Sequence, residues 1–175
     1  MSEQKAIEAP FVSGLLKDRP SASEMMKKLD WLTGMWVVTG DYYSGDGHFP
    51  DRKAVFTYKW ICGGMFLQWE MQSHGPLKFY ENHALISWDD EAQVYRGHYF
   101  DNFGTADATV MTWQDENTLL MKFTKGFNFL GPAVKELRLT ITRSSEQKGR
   151  WLLEVRMDNN PNFQTLIDQR GEKFY

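Results

Sequence analysis

The chain has 175 residues, a formal net charge of −3 and a single cysteine. That length fits one folded unit with a sizeable core, and the charge leaves no basic surplus for a nucleic acid or an anionic membrane surface. The lone Cys62 excludes an internal disulfide and any Cys-x-x-Cys zinc or redox motif, which suits a reducing compartment.

Residues 1–20 mix charges with Gly14 and Pro20 and read as an arm, with Phe11, Val12, Leu15 and Leu16 able to dock on the rest. The first ten residues lack the apolar segment of a signal peptide, and no apolar run is long enough to cross a bilayer. A cytoplasmic protein without a membrane span is therefore expected. Ser21-Ala22-Ser23-Glu24 has the S-x-x-E form of a capping box, in which serine and glutamate satisfy free amides at a helix start. A short helix follows, with Met25, Met26, Leu29 and Leu32 on one face and Lys27 and Lys28 toward water. That stripe reads either as a methionine-lined lid or as a helix packed over a barrel end, the commoner use of such stripes.

At Leu32-Thr33-Gly34-Met35-Trp36 the helix turns into the first strand, with Gly34 freeing the backbone for a sharp turn. Trp36, Val38, Gly40 and Tyr42 then alternate at strand period, and Trp36 is expected to plug one end of a barrel. Strands are expected over 35–43, 53–61, 65–73, 77–88, 93–101, 105–113, 118–125, 133–143, 150–157 and 163–169, separated by segments rich in Gly, Asn, Asp and Pro. Connections this short leave no room for crossover helices, so the strands form an antiparallel meander. Closure hides sheet edges that an aromatic-rich open sheet would expose, so an up-and-down β-barrel of about ten strands is preferred over a β-sandwich. Residues 21–175 are read as one barrel domain behind the 1–20 arm. Seven Trp, seven Tyr and twelve Phe, 15% of the chain, suit such a barrel or a ligand cavity.

The Leu32-x-Gly34-x-Trp36 opening after a short helix resembles the first strand of the calycin-like barrels, which include lipocalins, fatty-acid-binding proteins and nitrobindin. With Gly63-Gly64-Met65-Phe66-Leu67, Ile86-Ser87-Trp88-Asp89 and Tyr95 to Thr105, the layout resembles a bacterial family of uncharacterised calycin-like (lipocalin-like) proteins over residues 25 to 173. The likeness departs at Ser87-Trp88-Asp89, where the family has a glycine and a tyrosine. It implies a calycin-like barrel with an internal ligand and brings no catalytic residues. Nitrobindin holds haem through a histidine near its C-terminus; this chain has none after His98, so no cofactor is expected.

In a closed barrel alternate residues face the interior. Glu81 and His83 share parity with Phe79 and Leu85, and Arg96 and His98 with Val94 and Phe100, while Tyr95, Gly97, Tyr99 and Asp101 take the other face. If the first set points inward, Glu81, His83, Arg96 and His98, with Trp36 and Trp69, line a ligand site that also holds an acid, a base and a cation. The bland reading puts the charged set on the solvated outer face. Asp101 is read as a turn carboxylate accepting backbone amides. Glu70 and Asp107 are read as cross-strand partners of Arg96, Arg138 or Arg156, and Cys62 as a buried thiol. His48, His74, His83 and His98 show no metal-ligand spacing, so no metal is expected. The segment from Lys125 to Pro132 is either a lid or dimer contact, or a loop folding Phe127 and Phe129 back over the core.

Three functions remain open: binding of a small, largely hydrophobic molecule inside the barrel; an isomerase, cyclase or hydratase using Glu81, His83 or His98; and an interaction module, such as a homodimer, with a filled barrel.

Overall fold

The structure, a computed structural model, describes residues 22–174 apart from 45–46, 76–77, 126, 128–129 and 132. The arm, Ser21, Phe129 and the side chain of His74 lie outside the described residues. One helical turn, α1 (Glu24–Lys27), and a 3-10 turn (Asp30–Leu32) lead into ten strands. These are β1 (Gly34–Ser44), β2 (Gly47–Ile61), β3 (Phe66–Gly75), β4 (Lys78–Asp89), β5 (Val94–Asp101), β6 (Ala106–Trp113), β7 (Thr118–Phe123), β8 (Val134–Arg143), β9 (Lys148–Met157) and β10 (Gln164–Phe174). Each strand pairs antiparallel with the next, and β1 pairs with β10 from Met35↔Phe174 to Tyr42↔Ile167, closing the barrel.

The turns form for reasons visible in their residues. Asp89 accepts the amides of Glu91 and Ala92, Asp101 those of Phe103 and Thr105, and Asp115 that of Asn117, so a carboxylate organises each of three hairpins. The helix cap differs from the capping-box expectation: Ser23, not Ser21, is the N-cap, its hydroxyl accepting the Met26 amide at 3.2 Å.

α1 and the 3-10 turn seal one end of the barrel, burying Met26, Leu29 and Leu32 while Lys27 and Lys28 face water. A one-turn helix has almost no stability of its own, and aromatic side chains strap this one down. Trp36 Nε1 donates to the Leu32 carbonyl at 2.7 Å, the Tyr95 hydroxyl to the Met25 carbonyl at 2.6 Å, and Trp60 Nε1 to Asp30 Oδ1 at 2.8 Å. Trp36 is fully buried and packs edge-on against Trp31 and Trp151, with ring centroids 6.0 and 5.1 Å away. It is the plug expected from the sequence, reached through Gly34 at φ 110°.

Above the plug the core continues through Phe56, Tyr58, Trp69, Tyr99, Met121 and Leu139, all buried. Trp151 Nε1 donates to the Tyr58 hydroxyl at 3.1 Å, and Tyr58 stacks on Trp69. Outside, ion pairs link neighbouring strands: Arg150 grips Asp168 with two bonds, of 2.7 and 2.8 Å, and Arg138 reaches Glu154 at 2.9 Å. Arg156 pairs with Glu136 and Arg96 with Asp89. Glu70 and Asp107 therefore do not hold these arginines, contrary to expectation. Glu70 meets Lys59 and Gln68, and Asp107 accepts the Ala108 and Lys125 amides, each at 2.8 Å. Cys62, expected buried, is exposed in a turn with φ 50°, ahead of Gly63 and Gly64 at 70° and 88°.

Trp151 fits because glycine faces it. A β-carbon on Gly171 would lie 2.5 Å from Val38 Cγ1 and 2.9 Å from Trp151 Cζ3. Gly171→Ala is expected to destabilise the barrel by about 1–3 kcal/mol through overpacking, read as a lowered urea midpoint with an unchanged slope. An unchanged midpoint would mean the plug is loosely packed.

Candidate functional site

The end opposite α1 is the mouth. There β5–β6, β7–β8 and β9–β10 connect, and inside it the packing leaves a chamber of about 40 Å³ open to water-sized molecules, lined by Phe56, Trp69, Met71, Tyr80, Asn82, Tyr99, Phe123, Phe127, Leu139, Trp151, Leu153, Ile167 and Gln169. A buried water needs roughly 10–15 Å³ of such space, so the chamber has room for only a few water-sized groups. A wider groove of about 800 Å³ lies outside the sealed end beside α1. It is open, and its walls balance Lys27, Lys28, Arg143 and Lys173 against Asp30, Asp115, Glu116 and Glu146. The chamber, not the groove, has the enclosed apolar walls of a small-molecule site.

Strand alternation sets the chamber's polar groups. Tyr80 and Asn82 face inward from β4 and Tyr99 from β5, in the same parity as the buried Ala84, Ile86 and Tyr95. The Tyr80 and Tyr99 hydroxyls share a hydrogen bond, and Tyr80 also donates to Asp101 Oδ2 at 3.4 Å. Because the other Asp101 oxygen is held by two turn amides, the carboxylate is a fixed anchor for the phenol pair. Burial pushes both phenols well above the usual tyrosine range, Tyr99 further because Tyr80 lies beside it, so both stay protonated donors at neutral pH. Asn82 Nδ2 lies 3.5 Å from the Met71 sulfur, while Asn82 Oδ1 and Trp69 Nε1 are buried without a protein partner. The walls thus hold one acceptor and one donor free to meet a guest or an ordered water.

Phe127 covers the chamber. It is buried, stacks on Tyr99 with centroids 5.2 Å apart and meets Phe123 edge-on at 5.0 Å. Phe127 is folded over the core, as one reading of its loop expects for it, while Phe129 lies outside the described residues.

The expected site residues divide sharply. Trp69 lines the chamber, and Trp36 lies deeper, in the plug. Glu81, His83, Arg96 and His98, which line the interior on one of the two readings of strand facing, stand on the outer face of β4 and β5, as the other reading has it, alternating with the buried Tyr80, Asn82, Ala84, Tyr95 and Tyr99. There His83 sits 3.8 Å from Glu70 and 3.5 Å from Glu81, and Arg96 pairs with Asp89. They cannot serve interior acid–base chemistry from that face. The reason is that both faces carry large apolar groups: Phe79, Leu85 and Phe100 are 40%, 38% and 48% exposed. The chamber's own Tyr80, Asn82 and Tyr99 were legible only from the run Ala84, Ile86, Trp88 on β4 and from Gly97 between Tyr95 and Tyr99. Among the described residues no group of three or more His, Cys, Asp or Glu side chains could hold a metal ion, and no helix is long and apolar enough to cross a membrane.

The sequence matches no protein-family model and no curated protein. Among solved structures, the chain is similar to the crystal structure of Rv2717c from M. tuberculosis, with a TM-score of 0.67 at 12% identity, over 89% of this chain and all of that one. The two share a fold. The class defined here is a closed ten-stranded antiparallel barrel, sealed by a short helix at one end and holding a small chamber at the other.

The buried phenols make a pH prediction. With folded-state values raised above the ordinary 10.0, Tyr58, Tyr80 and Tyr99 favour the folded state fully below pH 10, and that contribution falls as unfolded phenols ionise above it. In an ultraviolet titration at least three of the seven tyrosines should ionise only together with alkaline unfolding. Seven phenols titrating reversibly near pH 10 would contradict their burial.

Proposed function

We propose that the protein binds a small, largely apolar molecule inside the barrel, with Phe127 as a displaceable cover. The observation that carries this reading is the chamber, where aromatic and aliphatic walls surround the unpartnered Asn82 Oδ1 and Trp69 Nε1. Ligand sites combine apolar walls with a few placed polar groups, and a buried polar group left unpaired costs stability that a guest's hydrogen bond would recover. At about 40 Å³ the chamber is too small for a drug-sized guest, so binding requires Phe127 to swing out from Tyr99 and Phe123. A calycin-like lineage is consistent with this reading and rests on the Leu32-x-Gly34-x-Trp36 opening and the closed barrel.

The phenol pair gives the guest a preferred chemistry. Tyr80 and Tyr99 are protonated donors in a water-poor site, so a carbonyl or hydroxyl oxygen beside them exchanges one buried hydrogen bond for another without creating a charge.

Truncating the cover tests the reading. Phe127→Ala adds room at the chamber, so indole should raise the melting temperature of this variant several-fold more than that of the native protein at the same concentration. No indole-dependent shift in either protein would overturn interior binding. An equal shift in both would show that Phe127 is no cover.

A further inference from the structure

The outer wall of the barrel is not uniform. Around β8, β9 and β10 it is laced by ion pairs, Arg138 with Glu154, Arg150 with Asp168 and Arg156 with Glu136. On β5 and β6 the outward residues are Arg96, His98, Phe100, Ala106, Ala108 and Val110, all exposed, and only Arg96 carries a fixed charge. Leu85 of β4, exposed as well, sits beside His98 in the register and extends the patch to a third strand. An antiparallel sheet ordinarily turns polar residues to water, and a contiguous apolar patch on such a face marks a contact surface.

The strand register lays this patch out as a grid. Arg96, Val110 and Lys122 form one row across β5, β6 and β7. Leu85, His98 and Ala108 form the next row, across β4, β5 and β6, and His83, Phe100 and Ala106 the third. Glu81 lies one row further along β4, toward the mouth. The apolar rows therefore have an acid at one corner and two bases at the corner diagonally opposite. The charges at these corners are not locked within the chain: Lys122 meets Glu136 only at 3.6 Å, and Glu81 meets Gln72 and His83 at 3.3 and 3.5 Å.

Unlike charges placed diagonally across an apolar centre are self-complementary under a two-fold rotation. An axis through the outer face of β5, between His98 and Phe100, turns β4 of one copy onto β6 of another. Phe100 then lies over the partner's His98, and Leu85 over the partner's Ala106. Glu81 lies over the partner's Val110, flanked on the neighbouring strands by the partner's Arg96 and the partner's Lys122. Strands stand about 4.8 Å apart, so both cations come within reach of the carboxylate.

We infer that the β4–β6 wall is a self-association face whose occupant is a second copy of this chain, related by that two-fold axis. The inference stands apart from interior binding. Sedimentation velocity on the full chain tests it. Native protein should shift from its 20.4 kDa monomer toward twice that mass between low and high micromolar concentration, since a contact of three strands falls at the small end of protein interfaces. Glu81→Lys and Lys122→Glu should each weaken association at least tenfold, because each sets like charges face to face across the axis. An equimolar mixture of those two variants should associate more tightly than either alone, since each supplies the charge that the other lacks. Phe100→Lys should stay monomeric throughout. The four side chains involved lie on the outer face, and each variant is first shown to melt like native protein at low concentration. Native protein that is monomeric at every concentration would overturn the inference, as would a dimer that survives Phe100→Lys. Charge variants that dimerise as well alone as native protein does, or that gain nothing when mixed, would overturn it too.

Discussion

Everything in this molecule depends on the seam where the last strand returns to the first. Without the β1–β10 pairing, the sheet would be open, Trp36 would have no Trp151 to pack against, and the inner face would be an exposed aromatic surface. The seam is close-set at two glycines. At Gly171 the missing side chain admits Val38 and Trp151, and at Gly40 it lets the backbone of β1 approach that of β10. The same close approach therefore holds the seam from the plug to the mouth.

Sealing one end gives the barrel its polarity. The helix is too short to stand alone, and its three aromatic hydrogen bonds place it where the core needs a lid that does not move. At the other end, packing relaxes around Tyr80, Asn82 and Tyr99, against which Phe127 stacks. On the proposed reading a guest enters at the mouth, and the plug supplies the rigidity against which the chamber keeps its shape.

How much of this the sequence disclosed follows from which signals were unambiguous. Turn residues and strand lengths announced ten antiparallel strands, and the Gly34–Trp36 opening announced the plug, because glycine, asparagine and a buried tryptophan each have few other uses there. Facing was another matter. On β4 and β5 a one-residue choice of parity moves every side chain to the other face, and aromatics on both faces remove the usual guide, so parity alone does not decide whether Glu81, His83, Arg96 and His98 or Tyr80 and Tyr99 face the interior. Facing on β2 is hidden by a different device. The bulge at Asp51 breaks the alternation from Phe49 onward, and only Pro50-Asp51 within the run hints at it.

The central claim is that the barrel is closed, packed solid around Trp36 at the helix end and hollow beneath Phe127. Diffraction from a crystal pressurised with xenon tests that most directly, since xenon enters small apolar cavities without needing a hydrogen bond. The account predicts one interior xenon, among Trp69, Tyr99 and Phe127, and none beside Trp36. Xenon beside Trp36, or an interior that takes up none, would contradict it.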